Sequence, residues 1–183
     1  MKDLSIITKI GTEIPVEGFC KIRLLDTNYN GTGTKCWQFV DFVRKNVYLG
    51  YPNDRNTNGY PTAKKMQETL NEVFDKLPKW LKDQIIETKV PCYIPATKRN
   101  RLFKTKLFLL SATELCQNGY EIPFEGRPLE YYINHLAQYN GWQWLRSPHR
   151  SYSYHAWFLI GSGYVGIHYA YFAYAVAPAF TTK

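Results

Sequence analysis

The stretch WQWLRSPHRSYSYHAWFLIGSGYVGIHYAYFAYAVAPAF, residues 142–180, decides how the rest of the chain is interpreted. A Trp-rich opening and an apolar close enclose a middle rich in tyrosine and histidine. Between residues 151 and 182 there is no Asp, Glu, Lys or Arg. The stretch contains too many glycines and polar rings for a membrane helix. Short strands joined by tight turns are predicted, because small and large residues alternate with a period near two and GSGYVG is a turn signal.

Length and composition predict one globular domain spanning residues 1–183. The chain is 45% hydrophobic and 21% charged, which is typical of folded rather than disordered chains. Strand-like and helix-like segments follow one another along the sequence, so the predicted fold class is α+β. Two or three strands are expected within residues 1–45. This part either packs the domain or mediates assembly onto a larger particle.

Three helices are predicted from apolar residues at helical spacing. Met66, Leu70 and Val73 belong to one such stripe. A second, short helix is expected after Pro78 and a third after Pro128. The third helix is expected to bury Leu129, Tyr132, Ile133, Leu136 and Tyr139.

The densest basic run is KRNRLFKTK, residues 98–106. It forms either a surface for phosphate or another anionic partner, or a solvated turn that leads into a strand at LFLL. We favour the turn, because no nucleic-acid-binding motif accompanies the run. A nucleic acid partner is therefore not expected, despite a net charge of +8. The cations concerned are Lys98, Arg99, Arg101, Lys104 and Lys106.

Three motifs in a fixed order resemble one family of bacterial and phage domains. They are LFLLSATEL at residues 107–115, WQWLRSP at residues 142–148 and YAVAPAF at residues 174–180. The family is marked by a W-L-R-S-P motif and a closing G/A-V-x-P-A-F motif, and the resemblance covers residues 48–180. It implies a C-type lectin-like fold with short strands, two to four helices and a C-terminal binding face of long loops.

Some members of this family resemble the variable proteins of diversity-generating retroelements. There, a reverse transcriptase copies a template with errors at adenines, and the errors alter the ligand-binding face. Asn codons mutated in this way never encode Lys, Glu, Gln, Met or Trp, and residues 151–177 lack all of these except Trp157. The resemblance implies a variable segment within residues 142–180. Its ligand-binding residues are expected to be Ser151, Tyr152, Ser153, Tyr154, His155, Phe158, Tyr164, Ile167, His168, Tyr169, Tyr171, Phe172 and Tyr174.

The side-chain chemistry of this segment suits a binding surface. Tyr offers a large, rigid contact area at low entropic cost, and Ser adds adaptable polar contacts. The alternative is core packing, in which Ala and aromatic residues interdigitate within a sheet. Trp157, Val165, Val176 and Phe180 are assigned to the scaffold. Arg146 is expected to be a buried anchor that satisfies backbone carbonyls or a carboxylate.

Nothing in the sequence indicates catalysis. No Ser/Cys–His–Asp arrangement stands out, and the segment holds no carboxylate to orient His155 or His168. The four cysteines form no C-x-x-C pair and lie at no metal-ligand spacing from a histidine. Calcium-dependent sugar binding needs clustered carboxylates, which the segment lacks. We therefore expect no catalytic residue, no metal and no cofactor.

The expected function is the binding of a protein or glycan on a cell or virion surface. The protein itself is then expected on a virion or cell surface, or else in the cytoplasm, since no signal peptide is recognised. Oligomerisation or assembly into a virion fits this role, and no membrane span is expected. The alternative is a structural phage tail or baseplate component whose tyrosines form a fixed interface.

Overall fold

Strands make up most of the fold in the computed structural model, which describes residues 2–49, 60–137, 141–152 and 154–183. These residues form an α+β domain, as predicted, with three sheets around one hydrophobic core. The strands are β1 (Glu13–Pro15), β2 (Lys21–Asp26), β3 (Lys35–Phe39), β4 (Arg44–Tyr48), β5 (Thr88–Ile94), β6 (Arg99–Thr105), β7 (Gln143–Pro148), β8 (His155–Leu159), β9 (Val165–Tyr169), β10 (Ala173–Val176) and β11 (Ala179–Thr182). The helices are α1 (Lys64–Lys76), α2 (Lys79–Lys82) and α3 (Glu130–Asn134), and 3₁₀ turns occur at Leu4–Ile6, Tyr29–Gly31 and Tyr60–Thr62.

The N-terminal strands and the last strand share one antiparallel sheet, in the order β1-β2-β3-β11. Phe180 of β11 lies opposite Trp37 of β3, and both side chains are fully buried. The indole Nε1–H of Trp37 donates a hydrogen bond to Thr182 Oγ1 at 3.1 Å. The N-terminal residues, whose role the sequence left open, therefore contribute directly to the core.

The central sheet has the order β4-β10-β7-β8-β9, and β10 runs parallel to β7 while the other pairs are antiparallel. All six residues of β7 are buried. A tight turn joins β8 to β9, and Gly163 has a φ of 94° there, a conformation that side-chain-bearing residues rarely adopt. Three strands of the C-terminal stretch, β8, β9 and β10, thus lie in one sheet.

The basic run departs from the prediction, because it is itself strand β6 and not a turn. It pairs with β5 along its whole length to form a two-stranded hairpin. The predicted strand at LFLL is wrong, since residues 107–110 form only an isolated bridge, between Phe108 and Ala179. Leu107, Phe108, Leu109 and Leu110 are all buried, so this segment lacks the two-sided alternation of a half-buried strand.

All three helices form where the sequence predicted them, and Leu129 and Tyr132 at the third helix are buried as expected. In α1, Met66, Leu70 and Val73 are buried as predicted, and α2 follows Pro78. The third helix has only five residues, so it cannot bury a long stripe. Ile133 is 64% exposed and Leu136 is exposed as well, so the prediction that both are buried is wrong. Tyr139 lies outside the described residues. No helix in the described ranges combines the length and apolarity that a membrane span requires.

Candidate ligand-binding surface

Strand β7 carries Arg146 into the middle of the domain, where its side chain is fully buried. The guanidinium forms a bidentate ion pair with Glu114, with Nη1–Oε2 and Nη2–Oε1 distances of 2.6 and 2.8 Å. It also donates to the backbone oxygens of Leu109 (2.8 Å) and Pro91 (3.0 Å). Burial disfavours the charge, but Glu114 outweighs it, and the pKa of Arg146 lies well above its usual value. The predicted anchor role of Arg146 is confirmed.

The partner of Arg146 is fixed by a local hydrogen-bond motif. The N–H of Ser111 donates to Glu114 Oε2 at 2.9 Å, and the N–H of Glu114 donates to Ser111 Oγ at 3.1 Å. This reciprocal pair is a capping box with the usual S-x-x-E spacing, although it closes a turn rather than a helix. The Tyr29 hydroxyl donates to Glu114 Oε1 at 2.7 Å. The motifs at residues 107–115 and 142–148 therefore meet in one buried ion pair.

A second buried carboxylate, Glu125, lies beside this pair. Its Oε1 accepts the N–H of Tyr93 at 2.6 Å, and its Oε2 accepts the hydroxyl of Ser147. Burial raises the pKa of Glu125 to about 7, although Arg146 opposes this shift. The neighbouring carboxylate Glu114 contributes in the same direction as burial. The W-L-R-S-P motif thus supplies two of the groups around Glu125, Arg146 and Ser147.

Phe158 belongs to the interior, which corrects its assignment to the binding face. Its side chain is 5% exposed, and its ring lies 4.9 Å from the ring of Tyr174 and 6.4 Å from that of Trp144. A Cβ atom on Gly166 would approach the Phe158 ring to 2.9 Å, so the strand needs glycine there. Side chains alternate along β8, and Ala156 and Phe158 take the buried side. We call the following residues the buried frame: Glu114, Glu125, Trp144, Arg146, Ser147 and Phe158.

Above the buried frame, aromatic side chains from three segments form one continuous exposed array. The rings of Tyr154 and Tyr169 are nearly parallel, with centroids 5.7 Å apart. Tyr169 stacks in turn on Tyr171 at 5.0 Å, and Tyr171 on Phe172 at 5.1 Å. Tyr152 contacts Tyr154 and is 52% exposed. We call this array, with the two histidines described next, the aromatic surface: Tyr152, Tyr154, His155, His168, Tyr169, Tyr171 and Phe172.

Two histidines fill gaps within the aromatic surface. The ring centroid of His155 lies 4.4 Å from Tyr169, and His168 meets Phe172 edge-to-face at 4.0 Å. Burial, together with His149 and His168, lowers the pKa of His155, so its imidazole is neutral at neutral pH. Within the described residues, the Nδ1 atoms of His155 and His168 have no hydrogen-bond partner.

The loop before β8 is held by a histidine that sequence reasoning did not single out. His149 is 3% exposed and stacks on Trp157 at 5.9 Å. Its Nδ1 accepts the N–H groups of Ser151 and Tyr152 at 3.1 and 3.2 Å, and burial lowers its pKa, so the ring is neutral. The hydroxyl of Ser151 donates to Glu121 at 2.7 Å. No local sequence pattern indicates that Glu121 has this role, because thirty residues separate it from Ser151.

Some of the predicted residues lie at the margin of the aromatic surface. Tyr164, 65% exposed, occupies the β8–β9 turn, at the opposite end of β9 from Tyr169. Ile167 is exposed in the middle of β9. Tyr174 is half-buried, with its ring 4.7 Å from that of Trp144, so it links the surface to the buried frame. Ser153 lies outside the described residues.

Two clefts lie outside the aromatic surface, and none of its seven residues lines either of them. One, of about 370 Å³, is lined by Trp142, Tyr174 and Lys45. The other, of about 480 Å³, is lined by Arg150 and Cys116 among others. Burial raises the pKa of the Cys116 thiol, which makes it a poor nucleophile. Among the described residues, no three His, Cys, Asp or Glu side chains lie close enough together to hold a metal ion.

Comparison with known proteins identifies a family but no characterised relative. Residues 42–183 match a family described as a domain of unknown function, DUF6273. The match starts just before β4 and includes the whole buried frame and the whole aromatic surface. Neither the curated proteins nor the solved structures contain a match to the chain. The chain therefore belongs to the DUF6273 family of domains of unknown function.

Proposed function

We propose that the protein is a non-enzymatic ligand-binding protein whose aromatic surface recognises a protein or glycan on a cell or virion. One observation carries this proposal. Of the fifteen exposed large hydrophobic side chains among the described residues, seven fall within residues 152–172. Exposed apolar patches of this kind mark interaction sites, and Tyr is enriched among the residues that dominate binding energies.

The stacking of the rings favours a particular mode of recognition. In the series Tyr154, Tyr169, Tyr171 and Phe172, each ring covers a face of its neighbour, so ring edges and hydroxyl groups remain for a ligand. Ring edges carry partial positive charge and attract oxygen atoms, while the hydroxyls donate or accept hydrogen bonds. Rings already held in place lose little entropy on binding. The surface is therefore suited to a ligand rich in carbonyl or hydroxyl oxygens.

The histidines support a role in binding rather than in stability. An unpaired buried polar atom costs about 1–3 kcal/mol, and the Nδ1 atoms of His155 and His168 both lack partners within the described residues. The exposed tyrosines gain little from burial in the free protein. Selection for folding alone would not favour such residues at these positions.

We further propose that the fold is C-type lectin-like and that a diversity-generating retroelement varies the aromatic surface. The support is the separation of the two regions, since the motif residues Arg146, Ser147 and Phe180 are buried while residues within 151–174 form the exposed array. The codon pattern of residues 151–177 agrees with mutated Asn codons. A protein of this type acts on a virion or cell surface, which is the location we propose.

Sequencing the DNA next to the gene tests this proposal. We expect a near-copy of the codons for residues 151–177 that differs only at adenines of the copy, with a reverse-transcriptase gene nearby. The sequence of the copy also tells which positions vary, and these should coincide with the aromatic surface. If no copy exists, the tyrosines are a constant interface, and a structural component of a phage tail or baseplate becomes the better proposal.

A further inference from the structure

Strand β9 has a free backbone edge beside the aromatic surface. It is the outermost strand of the central sheet and pairs only with β8 among the described residues. The N–H of Ala170 donates to Tyr154 O at 2.9 Å, and that of Ile160 to Tyr164 O at 2.7 Å. Backbone groups alternate along an antiparallel strand, so residues 164, 166, 168 and 170 face β8. Val165, Ile167 and Tyr169 therefore direct their backbone groups outwards.

The edges of the N-terminal sheet are both protected against pairing with another strand. At one edge, β1 has only three residues and ends in Pro15. At the other edge, β11 is covered, because Phe108 and Ala179 exchange two backbone hydrogen bonds of 2.9 and 2.7 Å. Ile86 donates a third, to Thr181 O. Short strands, proline and a covering segment are the usual ways to prevent edge pairing.

Both edges of the β5–β6 hairpin and the far edge of the central sheet are protected as well. The outer backbone groups of β5 are occupied by side chains, since Pro91 O accepts from Arg146 and the N–H of Tyr93 donates to Glu125. Strand β6 carries several exposed cations. Strand β4 also carries cations, of which Arg44 pairs with Glu72 of α1 at 3.4 Å. Charged side chains on an edge oppose strand addition.

Strand β9 has none of these protections. Its sequence, VGIHY, has no charged residue and no proline, and its pairing with β8 runs without a bulge. Within the described residues, the N–H and C=O groups of Val165 and Ile167 make no hydrogen bond, while Tyr169 O accepts the N–H of Phe172. An uncharged, regular and exposed edge is a template for another strand.

We infer that the ligand includes an extended peptide segment that adds to β9 as a further strand of the central sheet. This inference rests on the proposed function and narrows its ligand to a protein. The incoming backbone pairs with Val165, Ile167 and the N–H of Tyr169, and its side chains contact the rings of Tyr154 and Tyr171. Strand addition gives affinity through main-chain hydrogen bonds, and neighbouring side chains give selectivity.

Charge favours a foreign peptide over a second copy of this chain. Two copies, each with a net charge of +8, repel one another. A neutral or acidic peptide experiences no such repulsion, and Arg150 lies in the cleft next to the loop that carries Tyr152. The partner is therefore expected to present a strand with uncharged or acidic side chains.

The test uses short linear peptides selected from a displayed library on the wild-type protein. Ile167→Pro removes the outward N–H, and proline is tolerated where the N–H of an edge strand faces solvent. Ile167→Ala is the matched control, because it shortens the same side chain and keeps the N–H. We expect Ile167→Pro to weaken peptide binding about tenfold or more relative to Ile167→Ala. Equal affinities for the two variants would overturn strand addition.

Amide hydrogen exchange of the wild-type protein provides a readout that does not depend on the folding of Ile167→Pro. Bound peptide should protect the amides of Val165, Ile167 and Tyr169, and unchanged exchange at all three would overturn the inference. The inference would also be overturned if the protein without peptide sediments as a dimer and Ile167→Pro dissociates this dimer. The edge of β9 would then bind a second copy of the chain.

A separate variant distinguishes a failure of the inference from a failure of the proposed function. Tyr154→Ala combined with Tyr171→Ala leaves the β9 backbone intact. If this variant binds the peptides like the wild type while Ile167→Pro does not, recognition by the aromatic surface fails and strand addition stands. If the double variant loses binding while Ile167→Pro and Ile167→Ala bind alike, the aromatic surface stands and strand addition fails.

Discussion

The buried frame and the aromatic surface reverse the usual distribution of side chains. The frame places charged groups in the interior, where Arg146 and Glu114 are both fully buried and hydrogen-bonded to each other and to the backbone. The surface places large uncharged rings in water, as with Tyr152 and Tyr171. Buried charges tolerate little change because their partners are fixed, whereas exposed rings depend little on their neighbours. The comparison supports the proposal that the sequence motifs stabilise the fold and that the exposed rings between them bind the ligand.

Removing the central cation of the frame is expected to have the largest effect. Arg146→Ala leaves the Glu114 carboxylate buried without its partner, a change that typically costs about 3–5 kcal/mol. Urea denaturation followed by circular dichroism measures the loss. Arg150→Ala is the matched control, because Arg150 is exposed, and it should change stability by no more than about 0.5 kcal/mol. Similar losses for the two variants would contradict the buried frame.

Phe158→Ala tests whether Phe158 belongs to the buried frame or to the exposed surface. The ring packs under Gly166 and against Trp144 and Tyr174, so its removal should cost about 3 kcal/mol or more. Tyr171→Ala, on the exposed side, is the comparison and should cost less than about 1 kcal/mol. If Phe158→Ala changes the free energy of unfolding only slightly in the same denaturation experiment, Phe158 belongs to the binding face and not to the buried frame.

The pH dependence of stability tests the environment of Glu125. Its folded pKa of about 7 lies above the ordinary value of 4.5, so the folded state holds the proton more tightly. Its contribution is fully present below about pH 4.5 and is lost as the pH rises through about 7, on the order of 3 kcal/mol in total. Arg146, Glu114, Ser147 and the N–H of Tyr93 are the groups that face it.

Glu125→Gln isolates that contribution, because glutamine resembles the protonated acid and does not titrate. Thermal melts of both proteins between about pH 5 and about pH 8 should diverge, with the wild type losing more stability as pH rises. Parallel melting curves across this range would show that Glu125 is already ionised in the folded protein and would contradict the raised pKa.

Local patterns predicted a large part of the fold. The apolar spacing of α1, the start of α2 after Pro78 and the buried anchor Arg146 were all predicted correctly, because each is encoded within a few residues or by an unusual residue in an apolar motif. Strand β6 was missed because its cations are typical of a solvated turn, whereas an exposed edge strand also accepts long charged side chains.

The site was predicted less completely than the fold. From the sequence, residues 151–174 were treated as one variable segment, and Phe158 therefore could not be separated from its exposed neighbours. The alternation of buried and more exposed side chains along β8 makes that separation. Glu121 and His149 were missed because they act through tertiary contacts with Ser151 and the loop backbone. The free edge of β9 depends on sheet order, which pairing across the chain determines.

Changes within the aromatic surface are expected to have the smallest effect on stability. The triple variant Tyr154→Ala, Tyr169→Ala and Tyr171→Ala should lower the free energy of unfolding by only about 1 kcal/mol. All three side chains are exposed, and they stack on one another at the surface of the protein. Tyr174 is left out, since its half-buried ring packs on Trp144. Calorimetry checks this, and a loss comparable with that of Phe158→Ala would identify the tyrosines as core residues.

The most direct test compares two displayed libraries for the fraction of clones that resist protease. One library randomises the exposed positions Tyr152, Tyr154, Tyr169, Tyr171 and Phe172. The other randomises the frame positions Glu114, Trp144, Arg146, Ser147 and Phe158. We predict that most clones of the first library fold and that almost none of the second do. Equal losses of folded clones in the two libraries would contradict the central proposal, that a surface tolerant of substitution is carried on a frame that tolerates little change.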